Sequence, residues 1–273
     1  MLRRSVFADR LLEFREFAFI GDDSFSRCGA WREFFAPRIG ADRFDGRVIF
    51  EIGCNDASLL AKVAARHPGT AFVGIDWKYR ALHAAAERVA AAGQRNVALL
   101  HGRGQDIGRI FGDGELDEVW LFHPDPCDKP HELRNRLLSE TFLLDVHRVL
   151  CPGGALAFKH DHAGYYQWLL ALLGLPEPAC FHVARAGGVA RPKVRRAELM
   201  DPPALPPISN AVVQRLEVTI RSDDFWNDPR PRSLSRLFAG EVTPFERRAA
   251  SKRYPIYYVE LTKRASAPQG LSS

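Results

Sequence analysis

The chain has 273 residues, 46 % of them hydrophobic and 26 % charged, which suits one water-soluble α/β domain with elaborations. No apolar run approaches the roughly 18 residues of a membrane span, and the start MLRRSVFADRLLEFREF has no apolar signal core, so a cytoplasmic protein is expected. A net charge of +5 suits a polyanionic partner without requiring one, and five cysteines with no CxxC pair argue against a zinc or disulfide framework.

Residues 1–46 read as an N-terminal extension in which Trp31, Phe34 and Phe35 pack together. From Arg47 the pattern alternates. The run RVIFEIG (47–53) predicts a buried strand, and 57–66 a helix. AFVGID (71–76) predicts a second strand, and the alanine-rich 80–92 a second helix. Strands follow over 97–102 and 116–123. A helix over 139–150 is stopped by Pro152-Gly153-Gly154, then come a strand over 155–159 and a helix over 165–173. Such alternation implies a mostly parallel sheet with helices on both faces. Residues 174–215, rich in proline and carrying Arg191, Lys193, Arg195 and Arg196, read as an irregular insertion. Two alternating strands, RLEVTI (215–220) and IYYVEL (256–261), close a seven-stranded sheet with one of them antiparallel. The main domain is thus expected over 47–265, with a flexible tail at 266–273.

In a doubly wound sheet, ligands bind beyond the carboxyl ends of the strands, where strand order reverses. The first strand leads into Glu51-Ile52-Gly53-Cys54-Asn55-Asp56-Ala57, and the second ends in Asp76. A glycine at a strand end lets backbone approach a ligand, and a carboxylate at the next strand end can accept from both hydroxyls of a ribose. A loop glycine and a helix-capping aspartate would look the same in isolation. Asn55 and Ala57 stand where a dinucleotide loop would have glycine, which disfavours a nicotinamide cofactor more than S-adenosylmethionine. The fourth strand runs into Phe122-His123-Pro124-Asp125-Pro126-Cys127-Asp128-Lys129, where two prolines stiffen the backbone around Asp125.

These segments resemble the bacterial tRNA (guanine-N7)-methyltransferases. The resemblance is carried by Glu51-Ile52-Gly53, Gly74-Ile75-Asp76, the His-Pro-Asp-Pro stretch with Lys129, Pro152-Gly153-Gly154, Asp161 with Tyr165, and Thr243-Pro244-Phe245-Glu246-Arg247. It implies a Rossmann-like class I S-adenosylmethionine-dependent methyltransferase fold, S-adenosyl-L-methionine as cofactor and tRNA as partner, in a monomer or homodimer. By the same resemblance Glu51, Gly53, Asn55, Asp76, Gly102, Arg103 and Asp125 would surround the cofactor. Asp125 would be the catalytic residue, and Lys129, Asp161, Thr243, Phe245 and Glu246 would hold the substrate. The chain departs from the family at Cys127, where tryptophan is usual, at Arg103, and in the run after Lys129. Methylation of a small purine-like heterocycle, or binding of S-adenosylmethionine or RNA without turnover, are the alternatives those departures leave open.

Guanine N7 has an in-plane lone pair, so its methylation needs alignment and charge stabilisation rather than a base. Asp125, Asp161 and Glu246 come from distant parts of the chain and are expected to line one cavity. His160 and His162 sit two apart at a strand end, but no third ligand stands at metal spacing, and no metal is expected.

Overall fold

The computed structural model describes residues 6–189, 205–230, 236–238 and 240–264. Its strands are β1 (Ala18–Phe19), β2 (Val48–Ile52), β3 (Ala71–Asp76), β4 (Val97–His101), β5 (Leu116–Phe122), β6 (Leu150–His160), β7 (Leu216–Ser222) and β8 (Tyr257–Lys263). They form one sheet in the order β1-β4-β3-β2-β5-β6-β8-β7. Adjacent strands are parallel as far as β6, while β8 runs antiparallel to both β6 and β7. The chain winds outward from β2 in one direction through β3 and β4, and in the other through β5 and β6, so the order reverses between β2 and β5.

The sheet has eight strands rather than seven. The additional one is β1, supplied by the segment ahead of residue 47, which pairs with β4 at Ala18↔Leu99 and Phe19↔Leu100. Trp31 and Phe35 of helix α2 (Trp31–Ile39) are fully buried against the same core. The indole of Trp31 donates to the Ile110 carbonyl, and its N–H to Glu115 Oε1. Sequence periodicity could not show β1, because a two-residue strand carries no pattern.

Helices cover both faces. On one face α3 (Ser58–Arg66) and α4 (Tyr79–Ala91) bury Leu60, Val63, Leu82 and Val89 against Phe72 and Trp120. On the other, the short α5 (Ile107–Ile110), α6 (Glu140–Val149) and α7 (Ala163–Leu172) bury Ile107, Phe142, Val146 and Leu169 against Phe50 and Phe158. The central strands β2 and β3 are buried along their whole length, which is why they read as continuous apolar runs.

The segment 174–215 is not wholly irregular. It contains α8 (Ala179–Arg185) and α9 (Asn210–Arg215), and Phe181, Ala184 and Val212 join the core. Its basic cluster, Arg191 to Arg196, lies outside the described residues, as does the tail 266–273. Helix α1 (Val6–Leu11) opens the described chain, and α10 (Pro244–Ser251) precedes β8.

Candidate active site

The carboxyl ends of β2, β3, β4 and β5 open into one cavity of about 460 Å³, within the usual range of ligand sites. Gly53, Asn55, Asp76, Gly102, Arg103 and Asp125 line it, and so does Phe245 from the start of α10. Trp77, His123, Cys127 and Asn135 complete the parts used below.

The loop after β2 explains its own sequence. Gly53, Asn55 and Ala57 all have left-handed backbone, with φ of 77°, 51° and 51°. Glycine is the natural residue for such positions, asparagine tolerates them, and alanine adopts them at a cost of about 1 kcal/mol. The turn is held by Asp76, whose Oδ2 accepts from the Asn55 N–H at 3.0 Å while Oδ1 accepts from the Lys78 N–H at 2.8 Å. Each oxygen keeps a lone pair for a ligand hydroxyl.

Glu51 does not line the cavity. It lies beneath it, 6 % exposed, and its Oε2 has no hydrogen-bond partner among the described residues. Burial, reinforced by the negative charges of Asp56 and Asp76, pushes its carboxyl up to about 8. Two further acidic side chains, Asp76 and the Arg88-paired Asp56, thus stand near a buried carboxyl oxygen that has no hydrogen-bond partner among the described residues. The neighbouring Cys54 thiol is pushed well up by burial and by Glu51, so it is a packing group rather than a nucleophile.

Asp125 is exposed in the cavity mouth, its Oδ1 accepting from the Cys127 N–H at 3.1 Å. The loop that carries it is clamped from outside the cavity. Arg136, 7 % exposed, donates through Nε to the Pro126 carbonyl at 2.8 Å, and its guanidinium lies over the rings of Tyr165 and Trp168. Trp77, 63 % exposed in the wall next to Asp76, is a flat surface that sequence reasoning passed over. Its position directly after Asp76 at the end of β3 was the available signal.

Four expected substrate residues do not line the cavity. Glu246 is fully buried; its Oε2 accepts from the Thr243 N–H while its own N–H donates to Thr243 Oγ1, a capping box at the start of α10. Its Oε1 accepts from Nζ of Lys159 in β6 at 3.1 Å, in the buried contact between α10 and the sheet. Thr243 is thereby a cap and Glu246 an internal counter-ion, and the cavity receives only Phe245, 55 % exposed, between them. The shared cavity expected for Asp125, Asp161 and Glu246 is therefore not formed. Lys129 is exposed and pairs with Glu132 at 3.0 Å. Asp161 turns behind the wall toward His123 and His160. Burial pushes the His160 imidazole below its usual range.

Residues 45–180 match the model of the family described as "Putative methyltransferase". That match covers just under half of the chain. Over 145 residues it is 30 % identical to the tRNA (guanine-N(7)-)-methyltransferase of Lactococcus lactis subsp. cremoris strain SK11, covering 53 % of this chain and 64 % of the relative. Over 140 residues it is 31 % identical to the enzyme of the same name from Streptococcus pneumoniae strain CGSP14, covering 51 % and 63 %. The chain thus spans somewhat under two thirds of the length of these curated relatives. Among solved structures, the antibiotic-resistance methyltransferase Kmr aligns over 86 % of this chain and 94 % of its own, at 15 % identity and a TM-score of 0.49. The matched segment runs from just before β2 through α7 to the start of α8, so it contains the Gly53–Ala57 loop, Asp76 and the Asp125 loop.

Proposed function

We propose that this methyltransferase uses S-adenosyl-L-methionine to methylate N7 of guanosine in tRNA. The observation that carries the reading is the single cavity that joins Asp76 and the Gly53–Ala57 loop, above the unpaired Glu51 carboxyl, to Asp125 and Phe245. The names of the two relatives at about 30 % identity support the choice of acceptor.

The residues present fit the cofactor. Asp76 would accept from the ribose hydroxyls with the lone pairs that Asn55 and Lys78 leave free. Trp77 would cover one face of the adenine, with Gly102 and Arg103 beside it. The acidic floor of Glu51 and Asp56 suits the cationic methionine portion. When bound, the cofactor supplies an electrophilic methyl group on sulfur. The protein's part is alignment: Phe245 and Phe122 offer apolar surface to a planar base, and Asp125 accepts from the N1–H and N2–H₂ edge of guanine. The Asp125 carboxylate also offsets the positive charge that reaches the purine as the methyl transfers.

The test is transfer of labelled methyl from S-adenosyl-L-methionine to total tRNA, with a panel of free purines in parallel and the product nucleoside identified after digestion. The expected product is 7-methylguanosine, and Asp125→Asn should cut turnover about 100-fold with the fold intact. Label in the free purines but not in tRNA would overturn the tRNA reading, and near-normal turnover of the asparagine variant would leave Asp125 a turn residue.

A further inference from the structure

The ends of β5 and β6 are bonded neighbours, His123 N–H donating to the Lys159 carbonyl at 2.9 Å. This gathers three side chains that the sequence spreads over 39 positions: His123 after β5, His160 at the end of β6, and Asp161 next to it. A donor atom of each lies within 4.8 Å of the other two. Asp161 Oδ1 is 3.4 Å from His160 Nδ1 and 3.5 Å from His123 Nδ1.

The protons can be assigned. His160 Nε2 lies 2.8 Å from the Pro124 carbonyl, which only accepts, so Nε2 carries the hydrogen. His160 Nδ1 is then a lone pair, and it accepts from the His162 N–H at 2.8 Å. The Asp161 carboxylate oxygen stands beside the same nitrogen at 3.4 Å. His123 sharpens the point. Its side chain is 2 % exposed, neither ring nitrogen has a hydrogen-bond partner among the described residues, and its backbone is left-handed with φ of 51°. Phe245 stacks over the ring at 5.4 Å between centroids. A buried imidazole whose ring nitrogens make no hydrogen bond, with only the Asp161 carboxylate near Nδ1, is costly, and a strained backbone at the same residue adds to the cost.

We propose that His123, His160 and Asp161 bind a divalent transition-metal ion of the Zn²⁺ class. Bonds of about 2.0–2.1 Å in a tetrahedron set neighbouring donor atoms about 3.3–3.4 Å apart, close to the two spacings of Asp161 from the histidines. Two imidazoles and a carboxylate suit zinc-like ions better than Mg²⁺ or Ca²⁺, which prefer all-oxygen sets. The bond from His160 Nε2–H to a carbonyl is the outer contact that fixes a ligating tautomer. The ion takes the Nδ1 lone pair in place of the His162 N–H, and water fills the remaining position. It ties the Asp125 loop to the end of β6, and through His123 it touches the cavity wall. Nothing in this assignment depends on the acceptor being tRNA. His162, which the sequence had paired with His160, instead caps α7 by accepting from the Tyr165 N–H, and its Nε2 lies 3.1 Å from Asp128.

Tag-free protein is dialysed against chelator and titrated with Zn²⁺ by calorimetry and with Co²⁺ by visible absorption. One equivalent of each is expected to bind, and Zn²⁺ should raise the melting temperature. His123→Ala and Asp161→Asn should each weaken binding about tenfold or more, while His131→Ala, at a 75 % exposed histidine, leaves it unchanged. Circular dichroism checks the fold, and the nearly isosteric Asp161→Asn carries the test if His123→Ala does not fold. Absence of stoichiometric binding, or equal affinity in both ligand variants, overturns the site.

Discussion

Glu51 is a buried carboxyl beneath the cavity whose charge state burial has altered. Its carboxyl moves from an ordinary value of 4.5 to about 8 in the folded protein. Between those values the folded state holds a proton that the unfolded chain has lost. Stability is therefore expected to fall as pH rises through that window and to level off above it. Denaturant midpoints from about pH 5 to 8 should show this slope in the wild type and lose most of it in Glu51→Gln. A cationic ligand over Glu51 favours the ionised form, so S-adenosyl-L-methionine should release protons on binding near neutral pH, measurable by titration calorimetry in buffers of different ionisation heat. Zero proton release would separate Glu51 from the cofactor. Of the other residues, Gly53, Asp76, Gly102 and Asp125 were legible because they end strands, and the parallel register carries all strand ends to one edge. Glu51, expected beside the cofactor, is buried and does not line the cavity.

At the scale of elements, α10 shows how a motif can be seen and its chemistry misassigned. Thr243-Pro244-Phe245-Glu246 has the spacing of a capping box, with proline at the first turn, and the structure uses it as one. What the spacing alone does not reveal is that the Glu246 carboxylate also meets Lys159, both essentially without exposure. Lys159 further lies within 4.4–4.8 Å of the ring centres of Phe122, Phe225 and Phe238. Removing one partner leaves a buried charge uncompensated, so Glu246→Ala should destabilise the fold by about 3–5 kcal/mol. Lys159→Met combined with Glu246→Ala should recover part of that loss. Urea unfolding of the single and double variants measures it. A Glu246→Ala protein with wild-type stability and lost turnover would return Glu246 to the substrate site.

For the whole molecule, net charge and the tRNA reading make a joint prediction. Affinity for tRNA should fall by about 0.7–0.9 log units per phosphate contact for each tenfold rise in salt. Arg134, exposed beside the Asp125 loop, is a candidate contact, and Arg134→Ala should lower the slope of log affinity against log salt by nearly one such unit. Arg136, two residues on, is buried under that loop, so Arg136→Ala should lower stability and leave the slope alone. Filter binding across a salt series decides between them, and a flat dependence would remove the RNA partner. The order of strands and helices from 47 to 173 and the carboxyl-edge loops were set by sequence alone. They rest on local patterns of burial, on glycine and proline at strand ends, and on the directionality of parallel β-α units. Tertiary structure alone decided that β1 joins the sheet, that Glu246 of α10 faces Lys159 of β6, and that His123 meets His160 and Asp161. Each of those depends on which segments become spatial neighbours once β5, β6 and α10 pack, and a one-dimensional pattern holds no record of that distance.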